Sequence, residues 1–163
     1  VSYAVVRLRG KGDLRRDVKD TLTMLHLTRQ NHCVVVPETP TFQGMLRLVK
    51  DYVTWGEIDG EVLAKALLRR GRRIGDKPID DAFIKDHSTF TSIWDLSQAV
   101  ARGEASLSSV KDLRPVLRLH PAVRGLRAIK RGYHDGGDLG YRGQAINELI
   151  QRMLFEEGPT HGP

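Results

Sequence analysis

Arginine and lysine are the residues of this chain most suited to chemistry, and the chemistry they suit is binding phosphate. The 163-residue sequence carries 26 Lys and Arg against 20 Asp and Glu, a formal charge of +6. The excess is led by arginine, with 18 Arg and 8 Lys. A guanidinium presents a fixed fork of donors that matches phosphate oxygens, so an anionic partner is expected. Two clusters stand out. Arg69, Arg70, Arg72 and Arg73 fall within LLRRGRRIGDK, where a solvated helix face is as good a reading as a binding surface. Arg114, Arg118, Arg124, Arg127, Lys130, Arg131 and Arg142 share a stretch with only Asp135 and Asp138 as counter-charges. Prolines 115 and 121 and glycines 125, 132, 136, 137 and 140 interleave with those bases. Such a stretch has little to bury, which predicts a limb floppy in isolation and ordered against nucleic acid.

Other chemistries find little support. Gly10-Lys11-Gly12 lacks the spacing of a phosphate loop and reads as a turn. The six histidines form no HExxH and no i, i+4 pair, and His134, Asp135 and Asp138 lack the spacing of a calcium loop. No metal and no cofactor is expected. Cys33 is the sole cysteine, which excludes an internal disulfide, and its β-branched neighbours predict a buried thiol. Asp80 and Asp81 are adjacent, poor geometry for shared acid–base work on a helix. No run of 18 apolar residues occurs and no signal-peptide core opens the sequence, so the expectation is a soluble protein of a reducing, cytosolic compartment, with no membrane contact. Charge does not sort along the chain: 9 bases meet 7 acids in 1–59, 9 meet 7 in 60–111, and 8 meet 6 in 112–163.

The elements that must position these residues follow from periodicity. YAVVRLR (3–9) is a strand, and DLRRDVKDTLTMLHL places Leu14, Val18, Leu22 and Leu25 on one helical face, with Asp13 as candidate cap. HCVVVP is a second strand with Val35 in its buried run. Thr39 or Thr41 then caps a helix that aligns Phe42, Met45, Leu46, Val49 and Tyr52. Residues 53–58 alternate as a third strand. Residues 1–58 therefore read β-α-β-α-β, an α+β arrangement similar to part of a ferredoxin-like split βαβ, with both helices on one face of a small sheet. Beyond residue 60 the pattern turns to helices and loops: DGEVLAKALLRRG, a short turn at PIDDAFIKDH, and TSIWDLSQAVARG. PVLRLHP is expected to join a sheet edge, and Ile146, Leu149, Ile150, Met153 and Leu154 mark a final helix before GPTHGP, which is expected to fray. Phe42, Trp55 and Trp94 are assigned to the core.

Thr21, Leu22, Leu25, Leu27, Arg29, His32, Val34, Met45, Leu46, Val49, Tyr52 and Val53 stand at spacings that resemble the diagnostic region of a ribosomal protein family, called L-thirty in bacteria and archaea and L-seven in eukaryotes. NHCVVVPET, TFQGM, LRLHP and GGDLGYRGQAINELIQRM are similar to the longer archaeal and eukaryotic members. The extension beyond the third strand and the missing basic N-terminal arm make the chain resemble an archaeal member. The resemblance implies a structural role without catalysis. It implies a ferredoxin-like core with a small antiparallel sheet, and binding to large-subunit RNA of the 23S type near the 5S RNA, among neighbouring ribosomal proteins and with no small-molecule substrate. It also divides the chain into an RNA-binding core (1–58) and a helical extension (59–163) with its basic limb.

Candidate RNA contacts follow. Arg7 and Arg9 share a face of the first strand, where solubilising an edge competes with gripping phosphates alongside Lys11. Arg29, Gln30 and Asn31 form the helix-to-strand link, and Asn31 suits a 2′-hydroxyl or base edge. Thr41 and Gln43 open the second helix, whose free N–H groups suit a phosphate. The limb contributes Arg118, His120, Arg124, Arg127, Lys130, Arg131 and Arg142, with Tyr133 and Tyr141 as stacking platforms. Two rival readings remain open on the residues alone: a phosphate-substrate enzyme on a ferredoxin-like domain, and a protein-interaction adaptor using the last helix.

Overall fold

A computed structural model of the chain describes residues 1–10, 12 and 14–154; Lys11, the Asp13 cap and the GPTHGP tail lie outside the described residues. The order is β1 (Ser2–Arg7), α1 (Arg16–Met24), β2 (His32–Pro37), α2 (Pro40–Leu48), β3 (Val53–Glu57) and α3 (Gly60–Arg70). There follow β4 (Arg72–Arg73), β5 (Lys77–Pro78), α4 (Asp81–His87), α5 (Ile93–Ala101), β6 (Leu117–Arg118), β7 (Gly140–Tyr141) and α6 (Ala145–Leu154).

The main sheet has five strands in the order β6-β2-β1-β3-β7. β1 pairs antiparallel with β2 and with β3, β6 pairs antiparallel with β2, and β7 adds a parallel edge to β3. The ferredoxin-like α+β reading holds, enlarged by two short edge strands from the extension. β1 is therefore the central strand, and all six of its residues are buried. That corrects the edge-strand reading of Arg7.

Alternation on β1 sorts the core into two layers. Tyr3 and Val5, with Val34, Val36 and Val53, meet Val18 and Leu22 of α1 and Leu46 of α2. Ala4, Val6 and Cys33 turn to the other face, where Leu63 and Leu67 of α3, Leu96 and Val100 of α5, and Ile146, Leu149 and Ile150 of α6 cover them. Each fully buried Leu, Ile or Val contributes about 1.5–3 kcal/mol. Val35 is only partly buried.

Local chemistry sets the helix starts. The Thr39 hydroxyl accepts from Phe42 N at 3.4 Å, so Thr39 caps α2, with Pro40 in its first turn. The Asp80–Asp81 pair is structural: Asp80 accepts from Phe83 N at 2.8 Å and Asp81 from Ile93 N at 2.8 Å. Gly56 is obligatory for close packing, because a Cβ there would lie 1.8 Å from the Gly143 carbonyl oxygen. Asn147 then staples α6 to the β3–α3 junction, accepting from Asp59 N at 2.8 Å and donating to Glu57 O at 3.1 Å. Trp94 departs from expectation: it stands on the outer side of α5, 52% exposed. No described helix is long and apolar enough to cross a membrane.

Candidate nucleic-acid interface

Strand direction decides where the bases go. Arg7 closes β1 opposite Val53, the first residue of β3, and β2 starts at His32, which pairs with Arg118 of β6. The C-terminal end of β1 therefore collects the link 28–31, the turn at Lys50–Tyr52, and Arg118. α3 runs toward the same end, where Arg114 N donates to Arg72 O at 3.0 Å and Arg118 pairs with Asp76 at 3.5 Å.

Arg7 is the floor of this end. It is 6% exposed, and its guanidinium donates to Leu27 O at 2.8 Å, Arg9 O at 2.9 Å and Gly10 O at 3.3 Å. Burial pulls its pKa down, yet an arginine stays charged, so a fixed positive charge underlies the cleft. That cleft, about 710 Å³, is lined by Arg7, Gly10, Thr28, Arg29, Gln30 and Asn31. Asn31 adopts φ 68°, its N–H donates to Arg7 O at 2.7 Å, and its carbonyl accepts from Leu119 N at 3.0 Å. Gln30 Nε2 donates to Leu8 O at 2.9 Å. The Arg29 and Asn31 side chains have no partner among the described residues and face the opening. Behind them His32 is half-buried, and burial, with Arg118, Arg29 and Arg7 around it, lowers its pKa.

A second cleft, about 520 Å³, lies between the α2–β3 turn and the limb, lined by Lys50, Asp51, Lys130, Arg131, Gly132, Asp135, Leu139 and Gly140. Between the two clefts Arg9 stacks over Tyr52, 4.9 Å from the ring centre, and donates to Asp51 O at 3.2 Å. Lys50 was not among the candidates from sequence. Its place beside Lys130 and Arg131 depends on a fold contact across 80 residues of chain, which no local signal announces.

The limb, read as a stretch with little to bury, has a buried anchor and internal hydrogen bonds. Asp138 is 2% exposed and is its anchor. Its carboxylate accepts from Ala128 N at 2.9 Å and Arg142 Nη2 at 3.1 Å, and its own N–H donates to Ala128 O at 2.9 Å. Arg142 is 6% exposed and also donates to Thr54 Oγ1 at 2.8 Å and Asp138 O at 2.7 Å. Arg127 donates to Gly137 O at 2.5 Å and Tyr133 O at 3.3 Å. The guanidinium carbons of both Arg127 and Arg142 lie 4.8 Å from the Tyr133 ring centre. Arg7, Arg142 and Tyr133 thus have partners within the protein, and Arg7 and Arg142 are buried. Arg124, Lys130 and Arg131 remain exposed. His120 is half-buried, with Nδ1 3.0 Å from Pro121 O. In RRGRR, Arg72 donates to Gly71 O at 2.8 Å, Arg73 lies 5.4 Å over Phe83 of α4, and Arg69 and Arg70 also have partners within the protein.

The structure does not bring Thr41, Gln43 and Tyr141 to this end. The start of α2 follows the far end of β2, and Gln43 Nε2 donates to Tyr3 Oη at 3.3 Å. Tyr141 lies beside Glu57, whose carboxylate accepts from its hydroxyl at 2.5 Å. Cys33 is buried, and burial pushes its thiol up to about 12, as expected of a core thiol.

A family model described as ribosomal protein L30p/L7e matches residues 3–53. Along 93% of its length the chain is 50% identical to the large ribosomal subunit protein uL30 of Methanoregula boonei, covering 99% of that protein. It is 46% identical to the uL30 proteins of Methanocorpusculum labreanum and Archaeoglobus fulgidus over the same shares. With that match spanning core and limb alike, the chain belongs to the ribosomal protein L30p/L7e family, in its long archaeal form.

Proposed function

We infer that this protein is a structural, non-catalytic constituent of the large ribosomal subunit, where it binds ribosomal RNA beside neighbouring ribosomal proteins. The observation that carries the mode of binding is the convergence of Arg9, Arg29, Arg118, Lys130 and Arg131 on one end of the sheet, around two clefts, one floored by the buried Arg7 and the other rimmed by Lys50, Lys130 and Arg131. Phosphate neutralisation supplies affinity there. Asn31, whose side chain is unengaged, supplies a contact to a 2′-hydroxyl or base edge. The RNA is of the 23S type with the 5S RNA close by, a reading that rests on family resemblance. Residues 1–58 act as the RNA-binding core, and 59–163 are the helical extension that carries the RNA-binding limb.

The test is sedimentation of the full chain with large subunits through a high-salt gradient, paired with filter binding to purified large-subunit RNA. Retention in the large-subunit peak with salt-dependent RNA affinity is the expected result. Recovery at the top of the gradient, with salt-independent binding, would refute the reading.

A further inference from the structure

The end of the sheet remote from the arginines has an unlike surface. Tyr3 and Tyr141 meet edge to face, centres 6.2 Å apart at 71°, and Trp55 lies 6.3 Å from Tyr141. Tyr141 is 41% exposed and Trp55 half-buried, so the cluster shows ring surface to solvent. Each phenol donates to a carboxylate: Tyr141 to Glu57 Oε2 at 2.5 Å and Tyr3 to Glu38 Oε2 at 2.8 Å. Donation into a carboxylate loads electron density onto the ring and strengthens its attraction for a cation. The second oxygen of each carboxylate has no hydrogen-bond partner, and neither glutamate is paired with a base among the described residues. On a chain of net charge +6, this face has ring π-density and two uncompensated carboxylates.

We propose that this aromatic–carboxylate face docks an arginine-bearing segment of a neighbouring protein in the particle. The inference rests on the ribosomal reading above. A guanidinium stacked on Tyr141 would offer its remaining donors to Glu57 Oε1 and Glu38 Oε1, satisfying both carboxylates with one fork. An RNA backbone in the same place would set phosphates against two carboxylates. The arginine end is left free for RNA, so both partners can be held together.

The experiment uses the RNA-free full chain carrying Trp94→Phe, which leaves Trp55 as its one tryptophan. The probe is a blocked peptide of alternating arginine and glycine, with a citrulline version as its neutral counterpart. Saturable quenching of Trp55 by the arginine peptide alone is expected. Glu38→Gln with Glu57→Gln should weaken binding by about tenfold, and Glu38→Gln singly, on an exposed side chain, by about threefold. Equal affinity in the glutamine variants, or no response of Trp55, would overturn the proposal, as would quenching by an oligouridylate that the arginine peptide fails to displace. Filter binding of the double variant to large-subunit RNA separates the two readings. Undiminished RNA affinity fits docking at this face, a loss assigns the face to RNA, and absence of RNA binding by the parent chain defeats the ribosomal reading alone.

Discussion

The two ends of the central sheet use charge in opposite ways. At the arginine end, Arg7 and Arg142 are sunk among backbone carbonyls and a buried carboxylate, and exposed bases stand over them. At the other end, carboxylates bond to phenols at the surface. The same residue type therefore does two jobs at the arginine end, divided by burial. A guanidinium held by backbone carbonyls, a hydroxyl or a buried carboxylate shapes the loops, while one left in water is open to an anion. At the carboxylate end no buried charge is needed, because the β3–α3 connection is held by Asn147.

The largest expected effect falls on the buried pair. Asp138→Ala leaves Arg142 without its carboxylate and should cost about 3–5 kcal/mol in urea unfolding, as expected when one partner of a buried ion pair is removed. A loss below about 1 kcal/mol would mean that the limb is not held by this pair. Next comes the division of labour among the bases around the clefts. Joint replacement of Arg9, Arg29, Arg118, Lys130 and Arg131 by Gln should flatten the slope of log affinity against log salt by roughly 3.5–4.5 units, at ~0.7–0.9 per phosphate. The same change at Arg69, Arg70, Arg72 and Arg73 should flatten it less, since all four already have partners within the protein. Equal slopes would extend the binding surface onto α3.

The carboxylate end is read out by tyrosine titration. The hydrogen bond to Glu57, then burial, raises Tyr141 to about 12, and burial chiefly raises Tyr3. An acid whose folded pKa exceeds its unfolded value stabilises the protein fully below pH 10. That stabilisation drains away as pH rises from 10 toward 12. Tyrosinate absorbance should therefore show a late component, and Glu57→Gln should bring it back toward 10; a titration unmoved by that change would dissolve the proposed phenol–carboxylate pair. The smallest effect is expected for Arg9→Lys. Charge is kept, so the salt slope should survive, while loss of the stack on Tyr52 should weaken RNA binding by about 0.5–1 kcal/mol in filter binding.

Much of this was legible along the chain. Helical and strand periodicity placed α1, α2, α3, α5 and α6 and the three central strands, because each apolar stripe has one face to bury. PVLRLHP between its prolines reads as an edge strand and pairs as β6. Thr39 as a cap and Cys33 as a core thiol follow from nearest neighbours, as does the phosphate chemistry of an arginine-rich composition. Trp94 was misjudged because a large apolar side chain at the start of a helix can face outward at little cost.

Only the tertiary structure decided which arginines are buried among backbone carbonyls and which stay open to solvent. Arg7 and Arg9 differ by two positions and look alike in sequence. One ends the central strand beneath the Leu27 carbonyl, and the other emerges beside Tyr52. Asp138 looks like a stray acid in a basic loop until the limb closes on it, and Lys50 joins Lys130 only across the clefted end of the sheet. Each third of the sequence has nearly balanced charge, yet the folded chain gathers several arginines at one end of the sheet and sets at the other two carboxylates that accept only from phenols among the described residues. Composition and periodicity are summed along the chain and fix what the protein can bind. Polarity of its surface depends on where strands start and stop in space, a relation between residues far apart in sequence.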